Sequence, residues 1–128
     1  MPPLPQRARE MFEGPNFATV ATLQPDGRPQ TSVVWVRADG DDVLFSTIKG
    51  RRKYENMVRD PRLSVLVFDA ADPYSYTEIR GTAEITDDPA AELIEELSLK
   101  YTGKPFGDRP GEQRVIVRVR PDHVVSYD

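Results

Sequence analysis

The chain has 128 residues, 38% of them hydrophobic and 30% charged, and a net charge of −4. That length and balance predict one soluble domain over residues 1–128 with a core of its own, and the acidic balance argues against a general nucleic-acid partner. With no cysteine, disulfides, thiolate nucleophiles and zinc–thiolate sites are excluded.

No apolar run approaches the ~18 residues of a membrane span. The first residues carry no charged stretch followed by an apolar one, so a cytoplasmic protein is expected. Leu4, Ala8, Met11 and Phe12 fall on one face at helical spacing, which predicts a helix over 4–13 stopped by Gly14-Pro15. Strands are predicted over 17–23, 30–37 and 43–47. The first two are joined by a Pro-Asp-Gly turn, and Asp39-Gly40-Asp41-Asp42 precedes the third. A helix over 50–59 follows, ended by Asp60-Pro61.

The near-continuous apolar run at 62–69 predicts a strand buried on both faces. A long strand over 75–85 contains Gly81, a mark of a bulge, a bend or a close approach. Asp88-Pro89 reads as N-cap and first helical position of an amphipathic helix bearing Ala90, Leu93, Ile94, Leu97 and Tyr101. Residues 103–111 read as a mobile surface loop. Alternation over 114–120 predicts a half-buried strand that Pro121 breaks, with a short strand resuming at 123–127. Turn-length connections between most strands favour a mainly β, antiparallel barrel with two or three flanking helices over a parallel sheet.

The chemistry of the chain is defined partly by what it lacks. His123 is the single histidine, without acidic or histidine neighbours at metal spacing, so no metal site is expected. No nucleophile elbow, phosphate loop or dinucleotide fingerprint occurs, and no catalytic residue can be assigned. An enzyme of this composition would rely on a bound cofactor.

Against that background four cations crowd five positions: Lys49, Arg51, Arg52 and Lys53, with Gly50 among them and Ser46-Thr47 just before. A helix N-terminus attracts anions through free N–H groups and its dipole. Cations there oppose the dipole, and a ligand phosphate would remove the conflict. Arg51 offers a forked donor, Lys53 a point charge, and Ser46 or Thr47 a hydroxyl. A solvated basic helix start paired with Glu55 and Asp60 is the competing reading. Gln30 and Ser32 share one face of their strand, opposite Thr31, Val33 and Trp35, and could donate to a ring edge if their face meets a ligand.

Taken together, Gly27-Arg28-Pro29-Gln30-Thr31-Ser32, Phe45-Ser46-Thr47, Gly50 to Met57 with Arg59-Asp60-Pro61-Arg62, and Tyr74-Ser75-Tyr76 before Arg80-Gly81-Thr82-Ala83 resemble the pyridoxamine-phosphate-oxidase-like split β-barrel flavin and deazaflavin oxidoreductases. The similarity runs from about residue 7 to 127 and is greatest to the short members that use coenzyme F420. It implies a homodimer with cofactor sites at the subunit interface and a small organic acceptor as substrate. By that resemblance Gln30 and Ser32 line the ring or ribityl region. Ser46 and Thr47 contact the chain and phosphate, Arg51 and Lys53 hold the phosphate, and Asn56 supports their helix. Tyr74 and Tyr76 come from the partner or border the substrate pocket.

The excess cations Arg28, Lys49 and Arg52 favour F420, whose acidic tail exceeds one phosphate. FMN is the alternative cofactor, and a carrier that binds F420 without turnover is the alternative role. The chain is shorter than the true pyridoxamine-phosphate oxidases and lacks their C-terminal substrate-binding extension, so pyridoxine chemistry is not expected.

Overall fold

The computed structural model describes residues 3–107 and 109–127. Asp108, in the predicted 103–111 loop, lies outside them. In chain order the elements are α1 (Gln6–Glu13), β1 (Ala18–Leu23), β2 (Pro29–Val34), β3 (Arg37–Asp39), β4 (Asp42–Ile48), α2 (Arg52–Arg59), β5 (Arg62–Asp69), β6 (Asp72–Asp87), α3 (Glu92–Thr102) and β7 (Arg114–Tyr127). All strand pairs are antiparallel, in the order β2-β1-β5-β6-β7-β4-β3.

The two edge strands, β2 and β3, are consecutive in the chain. Their junction at Trp35–Val36 therefore carries the backbone from one edge of the sheet to the other, and the sheet rolls into a split barrel. The expected single strand over 30–37 is divided for this reason. Residues 29–34 pair with β1, and residues 37–39 pair with β4.

The break is held by α3. The Val36 N–H donates to the Tyr101 hydroxyl at 3.1 Å, and that hydroxyl donates to the Asn16 carbonyl at 2.7 Å. The Lys100 ammonium donates to the carbonyls of Val36 and Phe12. Backbone groups left unpaired by the crossover are thus satisfied.

Alternation along each strand fills the barrel. Val20, Val34, Val43, Phe45, Val65, Val67, Ile79, Val115, Val117 and Val119 point inward and are buried. Each fully buried aliphatic or aromatic side chain of this kind contributes roughly 1.5–3 kcal/mol. Helix α1 adds Ala8, Met11 and Phe12 to the same core, and α2 adds Met57. Helix α3 instead covers the outer face of β4 and β7, packing Leu93 and Leu97 on Leu44, Trp35 and Ile116.

Four further expectations are corrected. Helix α2 begins at Arg52 rather than Gly50, because Gly50 takes φ +99°, outside the helical range. Helix α3 begins at Glu92, so Pro89 and Ala90 precede it. Asp88 still caps it, accepting from the N–H groups of Glu92 at 3.1 Å and Leu93 at 3.0 Å.

Pro121 does not end its strand. β7 runs through it, with the register shifting opposite Gly81, where a Cβ would sit 2.0 Å from the Arg120 carbonyl oxygen. Gly81 is thus a close-approach glycine at a bulge. Finally, β5 is buried on one face only. Leu63, Val65 and Val67 point inward, while Leu66 is half-buried and Phe68 exposed on the outer face.

Candidate functional site

Strand β4 ends at Ile48, and the chain turns through Gly50 into α2 with Arg51 as the N-cap. Arg51 makes no side-chain cap hydrogen bond, so the first-turn N–H groups keep their capacity for an anion. Lys53, in that first turn, is only 8% exposed and donates to Ser32 Oγ at 2.9 Å. Burial, and then the neighbouring Arg51 charge, lowers its pKa. Lys53 is thus a desolvated cation beside the exposed Arg51, and a bound anion would reverse that penalty.

These groups wall a cleft of about 240 Å³ lined by Arg51, Lys53, Ser46 and Arg114 on its polar side and by Phe17, Val33, Trp35, Ile94, Leu97 and Phe106 on its apolar side. The aromatic wall is built as a stack. Tyr101 lies between Phe17 and Trp35, with ring centroids 5.5 Å apart in each pair. Two buried donor atoms on the outer face of β4 and β7, Ser46 Oγ and Arg114 Nε, lack a hydrogen-bond partner. Buried polar atoms are nearly always paired, and both of these belong to residues lining the cleft.

Below the cleft, α2 is tied to the barrel by a polar chain. Asn56 Nδ2 donates to Thr22 Oγ1 at 3.0 Å, and Thr22 Oγ1 donates to Gln30 Oε1 at 3.2 Å. Asn56 therefore supports the helix, and Gln30 sits in this network rather than among the residues lining the cleft.

The structure brings Ser32, Ser46, Arg51 and Lys53 together and leaves the other predicted residues elsewhere. Thr47 is buried, on the strand face shared with Val43 and Phe45, because alternation sends it away from Ser46. Lys49 is ion-paired with Asp87 at 3.0 Å, which raises its pKa through that hydrogen bond. It lines a separate hollow with Glu112 and Gln113. Arg52 is exposed and outside the cleft lining. Arg28 pairs with Asp26.

Tyr76 lies on the outer face of β6, its ring centroid 5.0 Å from that of Tyr127. His123 is exposed, and among the described residues no group of three or more acidic or histidine side chains could hold a metal.

Sequence reasoning missed Arg114 and Phe106. Arg114 pairs in register with Ile48 and so lies on the face that carries Ser46. Phe106 is not a detached loop residue. Its N–H donates to Glu95 Oε2 at 3.0 Å, Ser98 Oγ donates to the Lys104 carbonyl at 2.8 Å, and its ring walls the cleft.

Comparison with known proteins adds three findings. The sequence model of the pyridoxamine 5'-phosphate oxidase family matches residues 4–127. A pyridoxine/pyridoxamine 5'-phosphate oxidase from Kineococcus radiotolerans is 33% identical over 97 residues, 76% of this chain; the match spans only 40% of that relative's length. Among solved structures, one named "F420 Reductase" superposes with a TM-score of 0.86 at 33% identity, covering 94% of this chain and 98% of its own. A conserved hypothetical protein from Mycobacterium tuberculosis gives 0.78 at 27% identity, covering 94% of this chain and 81% of that one.

Proposed function

The chain belongs to the pyridoxamine 5'-phosphate oxidase family, and from that premise we propose that it is an F420-dependent oxidoreductase passing a hydride to a small, electron-poor organic acceptor. The observation that carries this reading is the cationic helix start beside an aromatic wall. Arg51, the buried Lys53 and the unpaired Ser46 hydroxyl face the same cleft as Trp35 and Phe17. That donor set fits a phosphate attached to a planar ring. The solved structure named "F420 Reductase" supports deazaflavin over flavin.

Bound in the cleft, the deazaflavin would supply the hydride chemistry that no side chain of this protein offers. The chain's own part is binding and positioning. Arg51, Lys53 and the first-turn N–H groups of α2 would neutralise the phosphate, and the Ser46 hydroxyl would donate to it. Phe17 and Trp35 would keep water from one side of the ring. The proton that completes reduction of the acceptor would come from solvent.

FMN remains the second reading, and one observation favours it. Lys49 and Arg28 are spent on Asp87 and Asp26, and Arg52 lies outside the cleft lining. The cations expected for a longer acidic tail therefore do not converge with Arg51 and Lys53.

A homodimer is part of the proposal. Across the outer face Val33, Thr19, Leu66, Glu78 and Val125 form one register row, and Phe68, Tyr76 and Tyr127 another. Val33 is 67%, Tyr127 55% and Phe68 37% exposed. A second copy on this face would cover them and bring its Tyr76 towards the cleft, which Val33 also lines.

Turnover tests the assignment. Chemically reduced F420 is mixed with the protein and a quinone or enone acceptor, and the return of the oxidised deazaflavin's visible absorbance is followed. Acceptor-dependent oxidation above the protein-free rate supports an enzyme. Tight F420 binding with no such oxidation of any acceptor class would support the carrier role instead.

A further inference from the structure

The cleft at Arg51 and Lys53 continues past Phe106. Ile94, Phe106 and Arg114 also wall a larger hollow of about 510 Å³ between the start of α3 and residues 106, 107 and 109–112. Two guanidinium groups meet on one ring there, Arg109 4.6 Å and Arg114 5.0 Å from the Phe106 centroid.

The Arg114 side chain is 9% exposed, and Glu112 engages only its Nη2, at 2.6 Å. Its buried Nε is unpaired. Arg109 is exposed and has no acidic partner among the described residues. The other acid of the hollow, Glu95, accepts from the Phe106 N–H through Oε2 and has no cationic partner among the described residues. Glu112 offsets the repulsion between the two guanidinium groups only at Arg114 Nη2, and a guanidinium matches a further carboxylate with two parallel donors.

We propose that Arg109 and Arg114 form a second anion subsite, for a carboxylate, joined to the first through the shared wall at Phe106. The proposal rests on the reading that the first cleft holds a phosphate-bearing ring. The carboxylate has two possible sources: an acidic extension of the cofactor itself, as in F420, or a separate acidic acceptor.

The test compares the wild type with Arg109→Ala, a change at an exposed position, by equilibrium titration with F420, FMN and benzoate, with thermal unfolding of both proteins as the check on the fold. A roughly tenfold or greater loss of F420 affinity, the effect of one charged hydrogen bond, with FMN affinity unchanged, assigns the subsite to the cofactor's own carboxylates. If both cofactors bind the variant as they bind the wild type, benzoate is titrated into the cofactor-loaded protein. Benzoate binding that the variant weakens by the same factor assigns the subsite to an acidic acceptor. The proposal is overturned if benzoate binding is absent or insensitive to the change, or if F420 and FMN weaken equally. Should the wild type bind neither cofactor, the reading of the first cleft fails, and benzoate titration of the free protein decides the subsite by itself.

Discussion

Replacing Lys53 with methionine separates a binding role from a structural one, because the two predict opposite signs. Lys53 is 8% exposed, its ammonium donates to Ser32 Oγ at 2.9 Å and to no other group among the described residues, and burial with the adjacent Arg51 charge depresses its pKa. A folded-state pKa below the unfolded one means that the protonated lysine weakens the fold at neutral pH. Methionine keeps the apolar stem and removes the desolvated charge. The lost hydrogen bond to Ser32 is worth about 1 kcal/mol, so the net effect on the free protein is near zero or stabilising. At this length that corresponds to a thermal midpoint within about 4 °C of the wild type, or higher.

The same change removes a charge-assisted contact to a bound phosphate, worth about 1.5–3 kcal/mol, or roughly ten- to a hundredfold in Kd. Thermal unfolding of the free protein and fluorescence titration of the cofactor, on one preparation, give both numbers. Unchanged cofactor affinity would refute the site. A midpoint falling by more than about 5 °C would show that Lys53 serves the fold instead.

Three other changes bear on the account. Gly81→Ala places a Cβ 2.0 Å from the Arg120 carbonyl oxygen, so chemical denaturation should show a loss above about 3 kcal/mol; a loss under 1 kcal/mol would mean the bulge yields easily. Burial lowers the Lys100 pKa from 10.5 to about 8. The penalty for its charge is therefore full below pH 8 and relieved as the pH rises towards 10.5, so wild-type stability should climb over that window. Because the side chain is half-buried, the rise is about 1 kcal/mol, and denaturation at pH 7 and at pH 10.5 should show it in the wild type but not in Lys100→Met. Phe68→Glu puts a charge on the open β5–β6 face, in the row with Tyr76 and Tyr127, and sedimentation should find a dimeric wild type and a monomeric variant; a monomeric wild type would remove the dimer from the proposal.

Much of the fold was legible because its signals are local. The Pro-Asp-Gly hairpin, the stop at Asp60-Pro61 and the glycine inside β6 each act within a few residues. What escaped depends on closure of the barrel. Nothing within 30–37 marks the break at Trp35–Val36, since β-branched and aromatic residues run through it; the break exists because β2 and β3 must occupy opposite edges. Pro121 looked like a terminator because its tolerance depends on Gly81, which faces it from β6.

The site divides in the same way. Arg51 and Lys53 belong to the cleft through the strand-to-helix turn that carries them, which the sequence displays. Strand alternation decides between Ser46 and Thr47 once the inner face is known. Lys49 reads as one of a group until Asp87, far along the chain, claims it. Arg114 reads as an ordinary outward residue of an alternating strand, and only its register opposite Ile48 puts it in the cleft wall with Ser46.

The central claim is that the cleft at Arg51 and Lys53 holds the phosphate of a deazaflavin. Fluorescence titration of the purified wild-type protein with F420 tests it most directly, with FMN titrated in parallel. The account predicts saturable F420 binding in the micromolar range or tighter, at one site per chain. Saturable FMN binding with no response to F420 would contradict it.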